Sequence, residues 1–227
     1  MLPYFIFKNI KSTDMGVMVN VLPPITKAAR DVNKITIPGR DGHLTQDFET
    51  YSSTVKPVEC TILDISKVDQ ISAWLDGSGE VIFSNQNDRK YQASIINQIP
   101  FNRIIRKVYS FIVIFDCQPF AQAINNPVIT LTAPCGIYGA GNHKSKPVIT
   151  VYGNGTIELS VNSTVIHLTN VSEYVTIDSD LMDAYKGTQL MNGLMNGDFP
   201  TLEVGENAIN WTGDVSKVEV KPNWQWL

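Results

Sequence analysis

Apolar and polar positions alternate with a period of two over much of the chain, the pattern of strands that have one covered face. The alternation is plain at Val58, Cys60 and Ile62, with Glu59 and Thr61 turned the other way. Val108 to Phe115 reads Val-Tyr-Ser-Phe-Ile-Val-Ile-Phe. Being apolar almost throughout and rich in β-branched and aromatic residues, it predicts a central strand covered on both faces. Between these two, Val68, Ile71, Trp74 and Leu75 fall at helical spacing within Ser66 to Leu75. Ser66 or Asp64 can cap its start and Gly77 can end it, so the sequence predicts one helix here, with its apolar stripe as a packing face.

The pattern changes between Pro119 and Pro134, where Asn125-Asn126-Pro127 is a turn signal. This places a domain boundary in the region and divides the chain into residues 1–125 and 126–227. Short strands then recur at Val148 to Tyr152, Ile157 to Val161, Val165 to Leu168, Tyr174 to Ile177, Asn207 to Trp211 and Val215 to Lys221. Such spacing predicts an antiparallel sandwich. Gly153-Asn154-Gly155 accepts positive φ and predicts a hairpin that pairs Ile149 and Val151 with Ile157 and Leu159. Asn162-Ser163 and Gly213-Asp214 give similar turn signals.

Composition narrows the function classes. With 227 residues, 43% of them hydrophobic and 18% charged, the chain can bury a sizeable core and leaves much neutral surface for contact with other chains. A net charge of −4 gives no reason to expect a polyanion, because nucleic-acid affinity comes mostly from neutralised phosphates. The densest basic stretch, Arg103 to Lys107, reads as the solvated start of a strand. Residues 1–20 lack a leader pattern, since Lys8 and Lys11 interrupt the apolar residues early, and the expectation is a protein made and kept in a cytosol. The longest apolar run, Phe111 to Phe115, is far short of a membrane span.

Little in the residues points to reactive chemistry. Cys60, Cys117 and Cys135 are too far apart for a disulfide framework or a zinc cluster, and are expected to be buried free thiols. His43, His143 and His167 stand apart in the sequence, and no nucleophile has a base at usable spacing. Gly136-Ile-Tyr-Gly139-Ala-Gly141 lacks phosphate-loop spacing and reads as a loop. Asp178, Asp180 and Asp183 miss the calcium-loop pattern and suit a strand ending in a solvated turn. Four Asn-X-Ser/Thr sequons, at Asn154, Asn162, Asn170 and Asn210, are read as turn chemistry. Tyr152, Trp211, Trp224 and Trp226 could form a sugar platform, with core or interface burial as the favoured use. No catalytic residue, cofactor or metal is assigned.

A set of landmarks runs along the chain in a definite order. They are Lys34-Ile-Thr-Ile-Pro-Gly-Arg-Asp-Gly42, Trp74-Leu75-Asp76-Gly77-Ser78-Gly79, and the strand leading to Phe111-Ile-Val-Ile-Phe-Asp-Cys-Gln-Pro-Phe120. Tyr174 to Asp178, Gly197 to Gly205 and Asn207 to Gly213 follow. In this order and at these separations the chain resembles the distal tail proteins of siphophages and related prophages that infect Gram-positive bacteria. The resemblance implies a mainly β fold: an N-terminal β-sandwich with one helix and a projecting hairpin arm, then a galectin-like C-terminal sandwich. It implies a hexameric ring, single or stacked, that joins the tail tube to the baseplate or tail-tip hub and docks receptor-binding or fibre proteins. The implied location is the virion, after assembly in the bacterial cytoplasm, with no sequence-specific nucleic acid and no membrane insertion.

The residues themselves agree with an arm. Pro38 fixes φ while Gly39 and Gly42 allow sharp reversals, so Ile37 to Tyr51 can leave the sandwich and return. Ile37, Pro38, Gly39, Arg40, Asp41, Gly42, His43 and Tyr51 are therefore the candidate contacts with a neighbouring subunit. The main competing expectation is a carbohydrate-binding module or adhesin that uses the second sandwich. A tail tube protein is a milder rival.

Overall fold

The computed structural model describes residues 2–227 and is mainly β, with one α-helix among the described residues. The chain divides into two compact units, one running to Ala121 with Leu227, the other Gln122–Trp226.

In the first unit, strands Phe5–Phe7, Ser78–Phe83, Arg89–Ile95, Val108–Cys117, Thr54–Ile62 and Val17–Val21 lie side by side in that order, the pairing antiparallel throughout. The sheet curls over itself. Phe5 and Phe115 stand on strands separated by two others, yet their rings meet edge to face at 5.4 Å. Phe7 and Phe83 reach the same ring at 5.5 and 5.7 Å. The predicted helix closes this core as a 3₁₀ turn, Ile65–Lys67, running into Val68–Trp74. Asp64, not Ser66, caps it by accepting the Ser66 N–H, and Gly77 lies beyond its end at φ 70°. Ile71, Trp74 and Leu75 are buried. The Trp74 ring stacks on Phe5, and its indole N–H donates to the Phe7 carbonyl at 2.9 Å.

Val108–Cys117 is central, but only one of its faces is fully covered. Phe111, Val113, Phe115 and Cys117 are buried, whereas Ile112 is 46% exposed. An uninterrupted apolar run therefore reflects an outer face that is apolar without being enclosed.

Lys56 also points inward from Thr54–Ile62 and is 1% exposed, with its ammonium 4.7 Å from the centre of the Tyr91 ring. Burial pushes its pKa below the ordinary lysine value. Burial likewise pushes the Cys60 and Cys117 thiols up to about 12, so both stay protonated. Cys135 departs from the sequence expectation and is exposed on the strand Cys135–Gly139.

In the second unit, the predicted hairpin at Gly153 to Gly155 does not form. Val148–Val161 is one strand of 14 residues, and it pairs with Gly205–Lys221, one strand of 17 residues, which replaces the turn expected at Gly213-Asp214. The glycines serve bulges in place of reversals. The register shifts between Asn154 and Glu158, opposite Gly213 at φ 102°. A Cβ on Gly153 would lie 2.2 Å from the Asp214 carbonyl oxygen, and one on Gly213 would lie 2.5 Å from that of Thr156. Only glycine permits this approach.

Beyond the bulge the two long strands acquire different neighbours. Toward Val148 and Lys221 they are flanked by Tyr174–Asp178 and Ile129–Leu131. Toward Val161 and Gly205 they are flanked by Thr164–Val171 and Cys135–Gly139. The inward residues of both halves, Ile149 and Val151 with Ile157, Leu159 and Val161, belong to one core, and this makes a sandwich. The turn predicted at Asn162-Ser163 does form, with Val161 paired to Thr164 and Asn162 at φ 54°.

Gly153→Ala forces the two long strands apart and is expected to cost about 2–4 kcal/mol in urea unfolding. Lys56→Met keeps the buried stem and removes a charge that the folded state disfavours. The buried amine has its pKa lowered on folding, so its penalty fades as the pH rises from the folded-state value into the ordinary lysine range. The variant should therefore be the more stable near neutral pH, and its advantage should shrink in alkaline buffer, as read from the denaturation midpoint.

Candidate functional site: a two-stranded arm

Arg30–Ile35 and Leu44–Tyr51 pair with each other and with no other strand among the described residues. The projecting hairpin therefore begins at Arg30, earlier than the Ile37 suggested by its turn residues. Arg-Asp-Val-Asn-Lys-Ile has too few apolar residues to announce a strand, which is why the sequence pattern missed it.

The base of the arm is polar and well tied. The Arg30 guanidinium pairs with Asp47 at 2.6 Å and lies 5.9 Å from the centre of the Tyr51 ring. Asp47 also accepts the Glu49 N–H at 2.8 Å, which holds Glu49 at φ 58° in a bulge. The hydrogen bond from Arg30, followed by that from the Glu49 backbone, keeps the Asp47 carboxyl below its ordinary range. Asp31 accepts from the hydroxyls of Thr50 and Ser52. Tyr51 is half-buried and meets Phe120 edge to face at 5.7 Å. Of the candidate contact residues, Tyr51 is thus a root that anchors the arm to its own unit.

The remaining candidates form the tip. Ile37, Pro38, Gly39, Arg40, Asp41, Gly42 and His43 are all exposed in the loop between the strands. The Arg40 N–H donates to the Ile37 carbonyl at 3.2 Å to close a turn. Gly39 and Gly42 have φ of 82° and 77°, with open space where a Cβ would stand.

Along the stem, the cross-strand partners Ile35 and Leu44 are 44% and 41% exposed, and Phe48 is 52% exposed. Val32 is exposed as well. A hairpin on its own is marginal in water, and this one turns apolar side chains outward. Such a segment gains stability from a surface that covers it.

Nothing comparable gathers elsewhere as reactive chemistry. His167 is exposed beside Glu158 at 3.4 Å, and His143 lies on the isolated bridge to Gln225. Among the described residues no group of three or more His, Cys, Asp or Glu side chains could hold a metal ion. Asp178 accepts the N–H groups of Asp180 and Leu181, which makes the acidic segment a turn. The second-unit aromatics are engaged within the unit. Trp224 is buried, Trp211 and Trp226 pack against the core, and Lys217 sits 4.2 Å over the Tyr152 ring. Among the described residues no helix is long and apolar enough to cross a membrane.

No family model matches the sequence, and no curated protein matches it in sequence at a significant level. The fold, however, is similar to that of SPP1 Dit (gp 19.1), whose crystal structure is described as a paradigm of the hub adsorption apparatus in phages that infect Gram-positive bacteria. The TM-score is 0.80 at 14% identity, and the likeness spans the whole of both chains. It is a likeness of fold.

Proposed function

We propose that this chain is a structural protein of a phage tail tip, a distal tail protein. Its copies close into a hexameric ring that joins the tail tube to the baseplate or hub and docks receptor-binding or fibre proteins. The observation that carries this reading is agreement with SPP1 Dit over the entire length of both chains at a TM-score of 0.80. In this reading residues 1–125 form the ring, and the galectin-like sandwich of residues 126–227 faces outward in the virion. The protein does its work through contacts, with no cofactor and no bond-making step.

The arm supports the reading physically. A ring needs a heterologous contact, in which one patch meets a different patch on the next copy and rotation closes the set. The exposed Ile35, Leu44 and Phe48 are suited to one side of that contact, since full burial of such a side chain stabilises by about 1.5–3 kcal/mol.

Light scattering and imaging down the symmetry axis are expected to show six copies in a ring. Replacing Gly39 and Gly42 together by valine strains the tip backbone by about 1–2 kcal/mol per position without creating a clash. The variant should remain a folded monomer with an unchanged circular dichroism spectrum and form no rings. Normal rings from this variant would remove the arm from the contact. A wild-type chain that stays monomeric at high concentration would remove the ring itself.

A further inference from the structure

Two exposed turns, one in each unit, carry apolar pairs flanked in the sequence by residues of opposite charge. In the first unit, Asn102–Ile105 pairs with Val108–Cys117 through a turn of Arg106 and Lys107. Ile104 and Ile105 are 59% and 63% exposed, and the register shift that leaves Ile104 between the paired Arg103 and Ile105 interrupts the strict alternation of faces there. Arg103, Arg106 and Lys107 flank them in the sequence, and no acidic residue occurs from Asn102 to Val108; Asp64 lies near enough to Lys107 to feel its charge. Among the described residues, none of these three cations reaches a carboxylate at ion-pair distance.

In the second unit, the turn between Tyr174–Asp178 and Asp183–Lys186 presents Leu181 and Met182, 67% and 65% exposed. Asp178, Asp180 and Asp183 frame that pair. Lys146 meets Asp180 at 3.0 Å and offsets part of the charge, leaving the turn acidic.

Each turn also holds a bulky residue in left-handed backbone, Lys107 at φ 71° and Met182 at φ 58°. Glycine adopts that conformation without steric cost. The charge of the whole chain is divided in the same sense. Residues 1–121 hold 13 Lys and Arg against 12 Asp and Glu, and residues 122–227 hold 5 against 10.

We infer that the hairpin Asn102 to Val108 of one copy docks on the turn Asp178 to Asp183 of a second copy. Ile104 and Ile105 meet Leu181 and Met182, and the cations face the carboxylates. The inference rests on the reading that copies of this chain assemble, and it names one contact by which they do so. Exposed ion pairs alone contribute little. Around a dry apolar centre they are shielded from water and set register and choice of partner. Because the two patches differ, the contact is heterologous, and it adds to the ring contact of residues 1–125 by joining that unit of one copy to the outward sandwich of another.

The test uses two full-length chains on a Cys135→Ser background, one with Ile105→Cys and one with Leu181→Cys. They are mixed under mild oxidation. The expected product is the mixed crosslink, in excess over either like pair. Adding Arg106→Glu to the first chain should lower its yield by about fivefold or more, and adding Asp180→Lys to the second should restore it. Equal yields of all three crosslinks, or yields indifferent to these reversals, would overturn the contact. Rings that form normally without the mixed crosslink would overturn it and leave the ring intact. A charge-dependent mixed crosslink in a sample that never exceeds a dimer would keep the contact and remove the ring. Retention of single-stranded DNA, abolished by Arg106→Glu and unaccompanied by the mixed crosslink, would also overturn it.

Discussion

The second unit depends on one backbone ladder, that between Val148–Val161 and Gly205–Lys221. Buried N–H and C=O groups must stay paired while the strands change layer. Two long strands that bend together meet this demand, because each remains the other's partner through the bend. The cost is local and steric, and it falls at Gly153 and Gly213, where neighbouring carbonyl oxygens leave no room for a side chain. Asn207 secures one end of the ladder. Fully buried, it donates to the carbonyls of Glu203 and Gly205 and accepts from Asn162 and the Glu203 N–H. The hairpin at Asn162 and the loop before Gly205 are thereby tied to one satisfied amide.

The first unit solves a different problem. Its sheet curls until Phe5, Phe7, Phe83 and Phe115 meet, and the Val68–Trp74 helix seals the opening. That core is complete without the arm. The apolar residues of Arg30–Ile35 and Leu44–Tyr51 are consequently surplus to the unit's own burial, while the ion pair of Arg30 with Asp47 and the contact of Tyr51 with Phe120 fix where the arm leaves the body. A rigid root and an uncovered stem divide the work between direction and adhesion.

Much of this was legible in the residues, for identifiable reasons. Period-two patterning marked the strands, because a sheet with one covered face has no other solution. The stripe at Ile71, Trp74 and Leu75 marked the helix, because those positions share one face. Pro38, Gly39 and Gly42 marked the tip of the arm through their backbone preferences. What stayed hidden depends on distant partners. Glycines that permit a turn also permit a bulge, and only the strand opposite decides between them. The apolar run at Val108 to Phe115 looks alike whether its second face is enclosed or, as at Ile112, open. Arg103 to Lys107 reads as the solvated start of a strand, and Asp178 to Asp183 as a strand ending in a solvated turn. Their match is visible only once the exposure of the four apolar residues between the charges is known.

The three thiols are chemically unequal. Cys60 and Cys117 are enclosed and hold their protons to about 12, whereas Cys135 lies open to solvent. A maleimide dye therefore finds a single point of attachment on each native chain, on a strand that the core does not hide. Single-particle photobleaching can then count subunits one step at a time, with no engineered tag.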